Sequence, residues 1–375
     1  MVETKTLSTA ERVYWLRLIR SENVGPVTFR QLIERFTTPT NALDALPELA
    51  KRGGGKRAIR ICTKSDAVAE MEKLDRAGGQ MIAICEPQYP AALANIPDAP
   101  PVLSVFGQVH LLEQRMIAIV GARNGSANGV RFTETLAREL GQSDLMIASG
   151  LARGIDAAAH RGALNSGTVG VMAGGVDIIY PRENDSLYGQ ILESGALISE
   201  QPFGTRPQAR HFPTRNRIVS GIALGTVVIE ATLRSGSLIT ARLAGEQGRD
   251  IMAVPGTPMD PRARGTNKLI REGAVLVESA DDVLEAMIPI LRRPMTEHDP
   301  SPYHSPEPVA EISEIDMDEA REQIINALGQ APSTMDDIVR TSGVSLQFSA
   351  MVFLELELAG RLDRHPGGQV SLAFI

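Results

Sequence analysis

The stretch "RMIAIVGARNGSANG", Arg115 to Gly129, passes from aliphatic residues into a glycine-rich turn and then a helix start. The same texture returns at "LMIASG" (145–150), "TVGVMAGG" (168–175), "ALISE" (196–200), "TVVIEA" (226–231), "DIMAVPG" (250–256) and "AVLVES" (274–279). Helical patterns such as "VRFTETLAREL" (130–140) and "LYGQILESG" (187–195) lie between them. Continuous apolar strands separated by helices predict a parallel sheet covered on both faces, an α/β architecture. Ligands of such sheets bind outside the carboxyl ends of the strands, which is where these glycines fall. The first turn lacks G-x-G-x-x-G, so it is not a dinucleotide fingerprint.

Working outward, residues 8–80 read as short helices. "STAERVYWLRLIRSE" carries an apolar stripe at Val13, Leu16 and Ile19, and Ser8 with Glu11 gives a capping signal. "NVGPVTFRQLIERF" (23–36) is a Gly-Pro turn entering a helix, as in a helix-hairpin-helix or sterile-alpha-motif-like unit. "KRGGGKR" (51–57) reads as a solvated loop. Residues 292–317 hold five prolines and several acids without periodicity, the composition of a flexible linker. From Asp318 to Ile375 come three helices, the second behind a capping signal "STMD" at Ser333–Asp336, and then a hairpin about Pro366-Gly367-Gly368. That order reads as a winged helix. The expected organisation is therefore 1–84 helical, 85–291 α/β, 292–317 linker and 318–375 winged helix.

A chain of 375 residues with 43% hydrophobic content has ample core for several domains. The two cysteines, Cys62 and Cys85, form no metal-binding spacing and suit a reducing cytosol as small core residues. No secretion signal and no run of about 18 apolar residues is visible, so a cytoplasmic protein with no membrane span is expected. The net charge of −7 argues against general polyanion coating but leaves room for a local basic site.

Such a site is suggested by "HFPTRNRIVSG" (211–221). From Gln201 to Ile229 there is no Asp or Glu, while Arg206, Arg210, His211, Arg215 and Arg217 lie there with Phe203 and Phe212 interleaved. Cations neutralise phosphates and flat rings stack bases, the combination that single-stranded nucleic acid requires. The alternative is pairing with carboxylates brought in by the fold. Arg123, in the first glycine-rich turn, suits a phosphate or base edge, or else caps a neighbouring carboxylate. Ser235, Gly236 and Ser237 fall between a strand and a helix, where hydroxyls and amides either cap the helix or hold a phosphate. Asp156 and His160, four apart in "SGLARGIDAAAH", would be an acid/base pair in a hydrolase; a local structural pair is the reading favoured by the absence of a nucleophile motif.

These blocks together resemble the DNA-processing protein A (DprA/Smf) family. The resemblance is carried by "YPAALANIPDAPPVLSVFG", "VGARNGSANG", "SGLARGIDAAAH", "GTVGVMAGGVDIIYPREN", "ISEQPFG", "FPTRNRIVSG" and "EATLRSGSLITARLAGEQGRDIMAVPG", spanning about 85–280. It implies an extended Rossmann-like domain without a dinucleotide, metal or other cofactor, and no catalysis. It further implies a homodimer that binds and protects single-stranded DNA during natural transformation and loads the recombinase RecA on it, displacing single-strand-binding protein. By motif the DNA pocket would include Arg123, Phe212, Arg215, Asn216, Arg217 and the Ser235–Ser237 turn, with Arg153 and Arg210 added by proximity.

Two points qualify that picture. Residues 318–375 hold four Arg, no Lys and eight acids, and the third helix carries Glu355 and Glu357 without a base. A DNA-reading helix needs cations or amides, so this module is expected to bind protein or aid assembly instead. An enzymatic alternative resembles the Lonely Guy type of nucleotide-cleaving enzyme, with Glu230 of "LGTVVIEATLRSGS" as a general base, although the double-glycine phosphate cradle of that type is missing.

Overall fold

The computed structural model describes residues 5–291, 314–365 and 368–373. The helices are α1 Thr9–Ile19, α2 Pro26–Phe36, α3 Pro39–Arg52, α4 Lys64–Arg76, α5 Ala91–Ala94, α6 Ala127–Gln142, α7 Ile155–Ala163, α8 Asp185–Ser194, α9 His211–Gly221, α10 Gly236–Glu246, α11 Arg264–Arg271, α12 Ala280–Leu291, α13 Glu314–Ala327, α14 Met335–Ser342 and α15 Leu346–Leu358. The strands are β1 Gln80–Ala83, β2 Val102–Gly107, β3 Met116–Gly121, β4 Met146–Ser149, β5 Thr168–Val171, β6 Ala196–Ser199, β7 Gly225–Ile229, β8 Asp250–Ala253, β9 Val275–Leu276, β10 Ser333–Thr334, β11 Leu362–His365 and β12 Gln369–Leu372.

Nine strands form one sheet in the order β1-β2-β6-β5-β4-β3-β7-β8-β9. The strands from β6 to β9 in that order run parallel, as the apolar runs predict. The sequence reading did not include β1 and β2, which pair antiparallel with each other and add antiparallel to β6. The sheet thus begins at Gln80. Ile117, Ile119, Ile147 and Val227 are fully buried on a face closed by Leu136 and Leu140 of α6 and Val283 and Met287 of α12. Each such side chain contributes roughly 1.5–3 kcal/mol by leaving water. The chain order turns at β3: β4, β5 and β6 extend to one side of it, and β7, β8 and β9 to the other. A crevice opens at such a reversal, outside the carboxyl ends of the two neighbouring strands.

Two compact units result. One is Glu70–Pro300 with the residues before Ser8; the other joins Ser8–Ala69 to Ser301–Ile375, each over its described residues. In the second unit, α1 opens with the expected Ser8–Glu11 capping box, and α2 and α3 each place a proline in the first turn, where its missing N–H costs nothing. The winged helix is present, with β10, β12 and β11 as its small sheet. Its second helix is capped by Thr334, which accepts from the Asp337 N–H, and not by Ser333. The cap moves one residue on because Ser333 and Thr334 pair with Val370 and Gln369 as a strand. The first helix starts at Glu314, inside the segment read as linker; 292–313, Pro366 and Gly367 lie outside the described residues.

Helix α15, the third of the winged helix, is covered over its second half, while Leu346, Gln347 and Ala350 near its start are exposed. Met351, Val352, Phe353, Leu354, Leu356 and Leu358 are all buried. The Asn23 amide donates to the Leu358 carbonyl at 3.0 Å and Arg361 donates to the Gly53 carbonyl at 3.2 Å, tying the N-terminal helices to this module. Glu355 is buried against Arg321 at 2.7 Å, and Glu357 holds Arg364 at 2.9 Å. The two acids of the third helix are therefore internal ion-pair partners.

Candidate nucleic-acid interface

Two adjoining cavities lie at the β3/β7 reversal, of about 810 and 610 Å³. Arg123, Ala152, Phe212 and Arg215 line both, so these residues form the ridge and floor between them. Arg123 sits in the turn after β3, exposed, with its guanidinium 5.4 Å from the centre of the Phe212 ring. Phe212, in the first turn of α9, also faces Tyr180, ring centres 5.7 Å apart and tilted by 56°. A cation and two aromatic faces therefore meet at one rim.

Arg215 lies one helical turn further on and is only 6% exposed. Its guanidinium fills the space over the backbone of Gly150, where a Cβ would lie 1.3 Å from Nη1. Only glycine after β4 leaves room for it. The Arg215 Nε is buried without a hydrogen-bond partner. Burial lowers the Arg215 pKa, Asp156 opposes that shift and Arg123 adds to it. Burial raises the Asp156 carboxyl above the usual range, countered by Arg215 and by the amides of Ala152, Gly121 and Gly150. A buried carboxylate thus interacts with a buried guanidinium whose Nε has no hydrogen-bond partner and whose side chain lines both cavities.

The second cavity is closed by the start of α10. Ser235 is the N-cap, but its hydroxyl pairs with that of Ser237 at 2.8 Å and makes no cap to the helix. The first amides of α10 therefore keep their donor capacity and partial positive charge beside Ser235, Gly236 and Ser237, all in the lining. Asn216 lines the same cavity. Arg153 lines the first one, exposed and 3.5 Å from Glu183, a pair of the kind that contributes little in water.

Two expected site residues line neither cavity. Arg217 is buried and paired with Glu200, donates to the Asp98 carbonyl at 2.6 Å and has the Asp98 carboxylate 3.4 Å away. Residues two apart on a helix point to opposite sides, so α9 cannot aim Arg215 and Arg217 at one cavity. Its counter-ions come from just outside the acid-free window and from the segment before β2. Arg210 is exposed at the N-cap of α9 and lines neither cavity. His211 is buried, accepts the Gln208 N–H at Nδ1 and lines neither cavity. Sequence reasoning missed Tyr180, Arg182 and Arg262, which are in the lining, and named Arg206 in the acid-free window without carrying it into the pocket set. Arg206 stood in the acid-free window and Tyr180 follows the Gly174-Gly175 strand end, so both had a signal.

The catalytic alternatives lose their groups. His160 Nδ1 lies 2.8 Å from the Thr168 hydroxyl, and burial pushes its pKa down to about 3. Both oxygens of Glu230 accept from Ser126, one from its N–H at 2.8 Å and the other from its hydroxyl, so no free base remains there. Among the described residues there is no group of three or more side chains suited to a metal, and no helix long and apolar enough to cross a membrane.

The family model described as DNA recombination-mediator protein A matches residues 80–288, more than half of the chain. The chain belongs to this family. Models of a DprA-like N-terminal helix-hairpin-helix domain (9–72) and a DprA winged helix domain (305–368) cover the flanks of the recombination-mediator match. The DprA/Smf resemblance of the motifs thus holds along nearly the whole chain. Protein Smf of Synechocystis is 30% identical over 96% of this chain and 98% of its own. The crystal structure of DNA processing protein A from Streptococcus pneumoniae superposes with a TM-score of 0.61 at 34% identity, covering 75% of this chain and 98% of that one. A Helicobacter pylori DNA processing protein A, described by its single-stranded DNA binding mode, gives 0.52 at 28% identity over 56% and 96%.

Proposed function

We propose that this member of the recombination-mediator family binds single-stranded DNA in the paired cavities, without catalysis and with little sequence preference. The carrying observation is Arg215, buried with an unpartnered Nε on the floor of both cavities. Arg123 and the amides at the start of α10 hold phosphates, while Phe212 and Tyr180 offer their faces to bases. The DNA-binding set is Arg123, Arg153, Phe212, Arg215, Asn216 and Ser235–Ser237, with Tyr180 and Arg206 added and with Arg210 and Arg217 removed. The Helicobacter pylori relative supports the substrate. The cellular role is that of a cytoplasmic homodimer that protects incoming strands and loads the recombinase RecA on them in place of single-strand-binding protein, in line with the family description. Pairing two such pockets raises avidity through effective concentration.

The test is titration of the full chain with an oligo-dT across a salt series. Affinity should fall steeply with salt, and duplex of the same length should compete weakly because α15 carries no Lys or Arg and its second half is covered. Arg123→Ala should flatten the slope by about 0.7. Phe212→Ala should cost about 1–3 kcal/mol at every salt, the scale of one stacked base. Salt-independent binding, or equal competition by duplex, would refute the reading. Its RecA part is measured by filament nucleation on strands coated with single-strand-binding protein, with and without this chain.

A further inference from the structure

Glu230 follows the last residue of β7 and holds a φ of 52°, a left-handed conformation that a side chain disfavours. Its carboxylate is spent wholly on Ser126, which donates its N–H to one oxygen and its hydroxyl to the other. Ser126 is the N-cap of α6, and its hydroxyl accepts the Gly129 N–H at 2.9 Å. The start of α6 is where a Rossmann-type fold sets a ligand's phosphate. Here a carboxylate from the neighbouring strand occupies that position. Gly129 makes room for it, since a Cβ there would lie 2.6 Å from the Glu230 Oε1. Arg262, whose charge Glu230 also feels, is already held by Asp260 through a forked pair.

The consequence falls on Arg123. Its turn begins at Ala122, whose N–H donates to the Ile229 carbonyl at 3.3 Å, and ends at Ser126 on Glu230. Both ends of the turn are thereby fastened to two consecutive residues at the end of β7. We propose that Glu230 is a positioning residue: as a built-in anion at the start of α6, it fixes the β3–α6 turn so that Arg123 is presented over Phe212. A left-handed backbone at a non-glycine position is retained because the carboxylate is required there.

The inference rests on Arg123 being a DNA contact, so one readout is kept independent of DNA. Glu230→Gly removes the carboxylate and relieves the backbone. It should leave the melting temperature equal or higher, while amide hydrogen exchange across 122–127 accelerates by about fivefold or more, the scale of one lost helix cap. Oligo-dT affinity should fall by about fivefold, and Glu230→Gln, which keeps an acceptor for the Ser126 N–H, should recover most of it. In an Arg123→Ala background Glu230→Gly should add no further loss, since the two act as one unit. A purely structural role would lower stability and affinity together. Unchanged exchange across 122–127, or a loss additive with Arg123→Ala, would overturn the proposal. If the unaltered protein fails to bind oligo-dT, the functional reading falls, and the exchange measurement still decides the role of Glu230.

Discussion

Arg217→Ala is expected to lower stability by about 3–5 kcal/mol, the cost of stranding the partners of a buried ion pair. Its side chain is 7% exposed and that of Glu200 13%, so water cannot replace the lost guanidinium. The Asp98 carbonyl loses its donor as well. Chemical denaturation should show this as a lower midpoint at unchanged slope. At low temperature, where the variant remains folded, oligo-dT affinity should stay within about twofold. Arg215→Ala should do the reverse. Its carboxylate neighbour, Asp156, already has a raised pKa and can take up a proton once the guanidinium is gone. Stability therefore suffers less, while DNA affinity should fall by about 10–100-fold, the scale of a charged hydrogen bond. If Arg217→Ala lost affinity and kept its stability, the assignment of the two faces of α9 would be wrong.

The second large effect is acid lability from His160. The Thr168 hydroxyl donates to the Ile147 carbonyl at 2.7 Å, so it accepts from His160 Nδ1–H. The other ring nitrogen, Nε2, is buried without a partner. Protonating it would place a charge in an apolar pocket near Arg215 and Arg161, which is why the pKa falls to about 3 from 6.5. The sign follows. The unfolded chain takes up the proton below pH 6.5 and the folded one does not, so this stability is complete above 6.5. It is lost as pH falls toward 3, at up to about 1.4 kcal/mol per pH unit. Between pH 6.5 and 4.5 the loss should reach about 2–3 kcal/mol. His160→Asn keeps a donor for Thr168 and removes this titration, so its stability should fall by about 2–3 kcal/mol less than the unaltered protein's between pH 6.5 and 4.5. An unchanged slope in the variant would assign the acid effect to other groups.

How legible the sequence was depends on what kind of neighbour each residue needs. The strands from β3 to β7 were readable because both of their faces are covered, which forces runs such as Ile117–Val120 to be apolar throughout; β8 and β9 kept an apolar sequence although β9 is exposed. The start of α10 was readable because Ser235–Ser237 must sit between a strand and a helix. Strands β1 and β2 were not, since they join the sheet antiparallel outside the repeating strand–helix texture, and nothing in "QMIA" fixes its partner. Arg217 was misplaced because its counter-ions, Glu200 and Asp98, are brought in by tertiary structure. The two-residue spacing from Arg215 was nonetheless a warning that both could not face one groove. Glu230 was weighed only as a base, because its partner Ser126 lies 104 positions earlier.

The joining of Ser8–Ala69 to the winged helix carries a temporal consequence. Helices α1 to α3 leave the ribosome before the nine-stranded unit, yet the surface tied to Leu358 and Arg361 stays open until residues beyond 360 have been made. The nine-stranded unit, complete by about residue 290, has everything it needs to fold meanwhile. Residues 8–69 are thus finished only after the nine-stranded unit that follows them in the chain, and the bond from Asn23 to Leu358 can form only once residue 358 has been made.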